Sequence, residues 1–185
     1  MKVFTDIEAE EFLRKRGFDI IETVLVKKEK ELDDIKWHFP AVLKVSGKKI
    51  VHKTLIHGVR LGIRSLNEAK KAFRELMKIK DAEGVLIQKQ IHGEEYLAGL
   101  KKTQDFGYVV AFGKGGTKVE KEKKVDFRVC GVEGVNELSG NKRIQEVLNK
   151  LCKISQDSGI KELDINPLVL EKGKALIVDS QIVFE

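Results

Sequence analysis

Cysteine and proline are scarce in this sequence, which has two of each in 185 residues. The two cysteines, Cys130 and Cys152, do not suffice for a disulfide framework, and they form no Cys-x-x-Cys metal motif. The sequence also has no apolar run long enough to span a membrane and no signal peptide. It therefore predicts a soluble protein of the reducing cytoplasm, with no membrane partner.

Aromatic residues are also few, at 6% of the chain. The sequence lacks the aromatic signature that stacks RNA bases, and its positive charges are interleaved with glutamate rather than gathered in one stripe. We therefore expect no nucleic-acid partner; a steep loss of DNA or RNA affinity with salt would be the mark of one. The net charge of +6 instead suits an anionic ligand such as ATP.

The sequence has no P-loop. The glycine-rich bend "FGKGGTKVE" at 112–120 lacks the Gly-Lys-Ser/Thr ending, and no helix follows it. Two interpretations stay open: the bend is a tight hairpin, or its glycine backbone approaches phosphate groups.

Helical periods and end signals mark three segments, and most of the remaining apolar segments are typical of strands. The first helix has a capping box of Thr5 and Glu8 and ends at Gly17, and the second has a capping box of Ser65 and Glu68. The strands come in consecutive groups with single helices between them, which favours an α+β fold. Predicted helices cover 5–17, 65–79 and 141–159; predicted strands cover 19–26, 40–47, 57–63, 84–91, 95–101, 106–113 and 124–130, and a hairpin covers 162–180.

The hairpin "ELDINPLVLEKGKALIVDS" carries Asp164, Asn166 and Asp179, residue types that strand interiors disfavour. If residues 172–173 form its tip, Asn166 lies opposite Asp179 with the Cβ atoms about 5 Å apart. An amide oxygen beside a carboxylate suits a hard cation such as Mg²⁺, which takes oxygen ligands. The alternative is an ordinary polar pair on a solvent-facing strand. The other side of the hairpin is predicted to be core, formed by Leu163, Ile165, Leu176, Val178 and Ile182.

A lysine and two histidines are further candidates. Lys44 ends an apolar strand, where its ammonium either reaches solvent or meets a phosphate as a point charge. His52 and His57 follow; a histidine can carry a proton or a phosphoryl group. For His57 we prefer an exposed loop position.

Polar residues also interrupt the strands near the middle of the chain. Gln88, Lys89 and Gln90 close a buried strand, and this break could expose backbone groups to an adenine edge. Glu94 and Glu95 begin the next strand after a glycine. Spacing alone does not decide whether these two acids are a solvated edge or part of a site.

Together these segments resemble the ATP-grasp (beta) subunit of the ADP-forming acyl-CoA synthetases, also called acetate–CoA ligases (ADP-forming). A weaker version of the pattern is similar to the succinyl-CoA synthetase beta subunit. The sequence departs from the family at His57-Gly58, where Gly-Gly is frequent, and at Lys114, where an apolar residue is usual. The matching runs cover most of the chain in order and are "FPAVLKV", "IVHKTLIHGVRLGI", "GVLIQKQIHGEEYLAGLKKTQDFGYVVAFGKGG", "VEKEKKVDFR", "KELDINPL" and "IVDSQIV".

The resemblance implies one ATP-grasp domain over 1–185, in which two α+β subdomains with antiparallel sheets grip the nucleotide. The smaller subdomain would cover roughly 20–90, and the larger would cover roughly 1–19 with 91–185. It also implies that Lys44 touches the nucleotide phosphates, that Gln88 lies at the adenine and that Glu95 lies on the nucleotide side. Asn166 and Asp179 would bind Mg²⁺.

The activity implied is that of an acid–thiol ligase: acyl-CoA, ADP and phosphate interconvert with the carboxylate, CoA and ATP. The resemblance assigns to His52 the relay of a phosphoryl group between ATP on this chain and a phosphohistidine on a CoA-binding alpha subunit. Two alternatives stay open, a shortened non-catalytic ATP-grasp module that regulates a partner, and a different ATP-grasp ligase that joins a carboxylate to an amine.

Overall fold

The computed structural model describes residues 2–50, 53, 55–116, 125–132, 134–156 and 159–185. Within these residues it contains eleven strands and three α-helices, which confirms the predicted α+β class. In chain order the elements are β1 (Lys2–Val3), α1 (Asp6–Lys15), β2 (Thr23–Val26), β3 (Ala41–Ser46), β4 (Val59–Ile63), α2 (Leu66–Leu76), β5 (Gly84–Lys89), β6 (Glu94–Thr103), β7 (Gly107–Lys114), β8 (Val125–Val129), α3 (Lys142–Ile154), β9 (Ile160–Glu171), β10 (Lys174–Ile177) and β11 (Ser180–Phe184).

The chain divides into two compact units, each with its own apolar core. The larger unit joins Met1–Ile20 to His92–Glu185, and the smaller unit is the continuous segment Ile21–Ile91.

The first two helices begin at the capping residues that the sequence indicates. At α1 the Thr5 hydroxyl accepts from the Glu8 amide, and the Glu8 carboxylate accepts from the Thr5 amide at 2.8 Å. At α2 the Ser65 hydroxyl accepts from the Glu68 amide at 3.2 Å, while the Glu68 carboxylate accepts from the amide of Arg64 at 2.9 Å. Both devices satisfy amide groups that have no partner inside a first helical turn.

The smaller unit packs α2 on one face of a four-stranded antiparallel sheet. The strand order is β2-β5-β3-β4, so β3 and β5 are central. All six residues of β3 are buried. The core between sheet and helix includes Leu43, Val45, Val85, Ile87, Ala69, Phe73 and Leu76.

The larger unit packs α1 and α3 with a seven-stranded antiparallel sheet. Its strands lie in the order β1-β11-β9-β6-β7-β8, and β10 also pairs with β9. One face of α3 is apolar and buried, since each of its five residues is at most 5% exposed: Ile144, Val147, Leu148, Leu151 and Ile154.

The register of the C-terminal hairpin is the predicted one. Lys172 and Gly173 form its tip, both with positive φ (49° and 75°), as a two-residue type I′ turn requires. Lys174 pairs with Glu171, and the same register continues to Ser180 opposite Ile165. Asn166 therefore lies opposite Asp179, and its amide donates to the Asp179 carbonyl at 3.1 Å.

The predicted core side of this hairpin is correct for one half and wrong for the other. Leu163, Ile165 and Ile182 are buried, but Leu176 and Val178 are only half-buried. Ala175 and Ile177 enter the core instead. The reason is a bulge in β9: Ala98 of β6 pairs with Ile165, whereas Tyr96 pairs with Leu168, so β9 has one extra residue and its side-chain alternation inverts.

The sequence indicated no disulfide framework, but the structure contains one disulfide. Cys130 and Cys152 form a disulfide with Cα atoms 5.2 Å apart, joining the residue after β8 to the last turn of α3. Both residues are half-buried and pack against the core of the larger unit. Spacing alone could not predict this pair, because only the packing of α3 on the sheet brings it together. Intracellular disulfides are unusual outside hyperthermophiles.

Among the helices that the structure describes, none is both long and apolar enough to cross a membrane.

Replacing both cysteines by serine should lower the free energy of unfolding of the larger unit. The disulfide closes a loop between residues 22 apart, and chain-entropy arguments give about 3 kcal/mol for a loop of that size. Guanidinium denaturation measures the loss. A reductant should shift the wild-type midpoint by the same amount and leave the double variant unchanged. Equal midpoints for wild type and variant would contradict a stabilising disulfide.

Candidate functional site

The candidate relay residue His52 lies outside the described residues, but the loop that follows it is closed by specific contacts. The Gly58 amide donates to the Lys53 carbonyl at 2.7 Å, and the Gly58 carbonyl accepts from the Val45 amide at 2.8 Å. A Cβ on Gly58 would lie 2.5 Å from Cγ1 of Val45, so this position requires glycine. His57 is exposed, as expected, and has a φ of 53°, a conformation that glycine adopts more readily.

Lys44 is a buried cation in the centre of the smaller unit. Its side chain is only 5% exposed. Its neighbours Leu43 and Val45 point toward α2, so Lys44 points to the opposite face of the sheet. Burying an ammonium is costly unless an anion or polar groups compensate it. The low exposure of Lys44 does not fit an ammonium that only reaches solvent, and this residue stays a candidate for an anionic ligand.

Gln88 lies deeper than its predicted role suggests. It is 3% exposed, and its Nε2 donates to the Thr23 hydroxyl on β2 at 2.9 Å. Gln90 is also used internally, since its Oε1 accepts from the Gly62 amide at 2.7 Å. Both glutamine side chains thus form hydrogen bonds to neighbouring strands. Lys89, which lies between them, is exposed.

Glu95 lies against the glycine-rich bend. Its carbonyl accepts from the Gly115 amide at 2.8 Å. A Cβ on Gly116 would lie 2.9 Å from Oε2 of Glu95, and one on Gly115 would lie 2.7 Å from the backbone of Tyr96. Gly116 also has a φ of 95°. The two glycines are therefore needed for the bend to approach the start of β6 and its exposed carboxylate.

The sequence did not indicate a hydrogen bond between two side chains at the start of β6. The Tyr96 hydroxyl donates to Oε2 of Glu94. That bond, together with partial burial and the negative charge of Glu94, raises the pKa of Tyr96 to about 12. Tyr96 also stacks on Phe112, with ring centroids 5.3 Å apart. Glu94 is thus engaged with Tyr96, which leaves Glu95 as the carboxylate beside the bend.

Asn166 and Asp179 are brought together at the bulge in β9. Asn166 is exposed, and Asp179 is half-buried in the two-residue break between β10 and β11. Oδ1 of Asp179 accepts from the Ser180 amide at 3.0 Å, which orients the carboxylate. Bulges often re-aim a side chain beside a functional site. The amide oxygen and the carboxylate are the donor types that Mg²⁺ takes, so the pair fits this ion.

Asp164 is a further acid on the Asn166 side of β9, two residues away. Its Oδ1 would lie 3.7 Å from a Cβ on Gly99, so the carboxylate lies over β6. It borders a cavity of about 310 Å³ whose other walls are mainly apolar and include Leu97, Ala111 and Phe127. The alternation of β9 could have shown that Asp164 and Asn166 share a side.

The family of this chain follows from the arrangement of its sheets and from its sequence. Residues 1–139 match the model of the ATP-grasp domain, and the two α+β units with antiparallel sheets have the fold expected of it. The chain belongs to the ATP-grasp family.

Within that family the chain is similar to ADP-forming acetate–CoA ligases. It is 36% identical to acetate–CoA ligase (ADP-forming) II of Archaeoglobus fulgidus over 165 residues, 78% of this chain and 24% of that protein. It is 30% identical to the beta subunit of acetate–CoA ligase (ADP-forming) II of Pyrococcus furiosus over 218 residues, 97% of this chain and 91% of that subunit. The chain thus spans about a quarter of the first relative and nearly all of the second.

Solved structures agree with this grouping. Acetyl-coenzyme A synthetase 1 of Candidatus Korarchaeum cryptofilum, in complex with coenzyme A and Ca-AMPCP, superposes with a TM-score of 0.87 at 28% identity. The match covers 100% of this chain and 94% of that one. The same synthetase with Mg-AMPPCP, which has a phosphohistidine segment pointing towards its nucleotide binding site, matches with a TM-score of 0.78 at 27% identity, over 100% of this chain and 93% of that one.

Replacing Asp179 by alanine should abolish binding of Mg·ATP, a loss of about 100-fold or more, because it removes the charged member of the pair. Asn166→Ala should cost less, about tenfold, since its ligand is neutral. Isothermal titration with Mg·ATP measures both. Asp105→Ala, which removes an exposed carboxylate from the β6–β7 turn, is the matched control. Wild-type affinity in folded Asp179→Ala would refute the metal assignment.

Removing the Lys44 charge should weaken nucleotide binding about tenfold or more, the scale of one lost charge-assisted hydrogen bond. Lys114→Ala should change the affinity by less than about twofold, because Lys114 is exposed at the end of β7. Lys44→Ala tests the charge together with packing, and Lys44→Met keeps the apolar stem and isolates the charge. Comparable losses at positions 44 and 114 would contradict this ranking.

Proposed function

We propose that this chain is the nucleotide-binding subunit of an ADP-forming acyl-CoA synthetase. It would bind Mg·ATP or Mg·ADP and act with a CoA-binding alpha subunit. The overall reaction is acyl-CoA + ADP + phosphate ⇌ carboxylate + CoA + ATP. An ATP-dependent reaction of this kind is consistent with the cytoplasmic setting expected from the sequence.

The observation that carries this proposal is the correspondence in length. The chain matches 89% and 91% of two separate beta subunits of Pyrococcus furiosus, but only 24% and 25% of two longer ligases of Archaeoglobus fulgidus. The region that the chain matches is thus the one that makes up a separate beta subunit in Pyrococcus furiosus. The partner would be the alpha subunit that provides the CoA and acyl sites.

Each unit has residues to which we assign a role toward the nucleotide. Lys44, buried on the face of its sheet opposite α2, would neutralise charge on the phosphates. The exposed end of β5 next to Gln88 would meet the adenine, with backbone groups rather than the Gln88 amide making the contact. Glu95 and the glycines beside it would border the phosphates.

Asn166 and Asp179 would hold Mg²⁺. When bound, the ion would offset charge on the phosphate oxygens. The Asp179 carboxylate is already oriented by the Ser180 amide, so little ordering would be needed on binding.

His52 would carry the phosphoryl group between the nucleotide and the partner's phosphohistidine. In the direction of ATP use, its imidazole nitrogen would form a bond to the terminal phosphorus as the bond to the ADP oxygen breaks. Passing the group onward would regenerate the free imidazole. A covalent relay divides one difficult transfer into two direct displacements. Each displacement requires the reacting groups within direct reach, which one histidine at a time can satisfy.

Two rivals make different predictions. A shortened ATP-grasp module that regulates a partner would bind nucleotide without any phosphoryl transfer. An ATP-grasp ligase that joins a carboxylate to an amine would retain activity without His52. The departures from the family expected at Lys114 and His57-Gly58 keep both alternatives open, and an assay of phosphoryl transfer distinguishes them.

Alone, the chain should bind ATP but form no acyl-CoA, and with its alpha partner it should react acid, CoA and ATP. His52→Ala should stop acyl-CoA formation while ATP still binds, because only the relay is removed. The assay uses ATP labelled in its terminal phosphate and follows the label on each chain, with His57→Ala as the matched histidine control. Acyl-CoA formation by this chain alone would refute the partner requirement. Full activity of the His52→Ala complex would refute the relay.

A further inference from the structure

Strand β8 ends the larger sheet, and its outer edge has a definite hydrogen-bonding pattern. The Cys130 amide donates to the Tyr108 carbonyl at 2.8 Å, in the register that pairs Phe127 with Ala111. Hydrogen-bonded pairs alternate along an antiparallel ladder. Arg128 and Asp126 therefore turn their amides and carbonyls toward β7. Phe127 and its neighbours at 125 and 129 turn theirs outward, where no described strand pairs with them.

The residue in the middle of this edge is a large exposed apolar side chain. Phe127 is 59% exposed, and no residue of β8 is buried. Its carbonyl accepts from Nη1 of Arg128 at 2.9 Å, which agrees with a carbonyl that points away from β7. An open edge of this kind is a template for another strand.

The charges that flank Phe127 are self-complementary. In an antiparallel pair of two β8 strands centred on Phe127, Asp126 of each copy lies opposite Arg128 of the other. These are non-hydrogen-bonded positions, where side chains approach most closely. Among the described residues, Asp126 has no ion-pair partner, and the ion pair of Arg128 with Glu137, at 3.7 Å, is exposed. The central Phe127 would meet its own counterpart, and Val125 would meet Val129.

We infer that two copies of this chain associate through the β8 edge, with the two-fold axis at Phe127. The interface joins the two larger sheets into one. In this interface the amide of each Phe127 donates to the carbonyl of the other copy's Phe127. The two exposed rings become covered, and two Asp126–Arg128 ion pairs form. An interface made by the same surface on both copies closes on itself, so association stops at the dimer. This inference does not depend on the proposed function.

Charge reversal tests the register. Asp126→Arg places two arginine pairs in the interface, and Arg128→Asp places two aspartate pairs there. Each single variant should weaken dimerisation about tenfold or more, and the double variant, Asp126→Arg with Arg128→Asp, should restore it. Sedimentation velocity over a concentration series gives the dimer constant, with Asp105→Arg in the β6–β7 turn as a control that leaves it unchanged.

Unfolding midpoints confirm that each variant is folded. A wild type that stays monomeric throughout, or a folded double variant that stays as weak as the single ones, overturns the inference.

Crosslinking provides a second measurement that does not depend on charge. Both native cysteines are joined in the disulfide, so Phe127→Cys introduces one free thiol at the proposed axis. Under mild oxidation it should form disulfide-linked dimers far faster than Asp105→Cys does. Equal crosslinking rates for the two variants would overturn the pairing at Phe127.

Discussion

The larger unit depends on the pairing of one strand. β9 is twelve residues long and pairs with β6 on one side and with β10 and β11 on the other. The two-residue turn at 172–173 sets the register on the hairpin side, while the bulge opposite Tyr96 and Ala98 shifts it on the β6 side. Asn166 lies in the bulge, between Ile165 and Leu168, and on the hairpin side it is opposite Asp179. The disfavoured polar residues of this hairpin are therefore located at an irregularity that the sheet itself creates.

Much of the fold could be predicted because its determinants are local. The caps at Thr5 and Ser65 and the apolar face of α3 involve residues within a few turns of each other, so the sequence contains them directly. The opposition of Asn166 and Asp179 was also predictable, since a short turn fixes the register of both arms.

The parts that could not be predicted arise from contacts between distant segments. The inverted core side at Ala175 and Ile177 follows from how β9 pairs with β6, some 70 residues earlier in the chain. The buried bond from Gln88 to Thr23 spans 65 positions, and it changes which groups are free to meet a nucleotide. The disulfide needs α3 to be packed before its two cysteines are neighbours.

Each unit, taken by itself, has candidate residues of a different kind. The smaller unit has the buried charge of Lys44 and the end of β5, and the larger unit has the carboxylates and the glycine bend. The chain matches separate beta subunits over nearly their whole length. This correspondence supports the proposal that the chain handles the nucleotide and passes a phosphoryl group on, while a partner recognises the acyl group.

The most direct test of this account is paramagnetic NMR of the chain with Mn·ADP, in which Mn²⁺ stands in for Mg²⁺. If Asn166 and Asp179 hold the ion, their oxygens lie about 2.1 Å from it. The side-chain amide of Asn166 and the backbone amides near Asp179 should then be broadened first and most strongly. Strongest broadening elsewhere, with the Asn166 amide unaffected, would contradict the metal site and the nucleotide-binding role built on it.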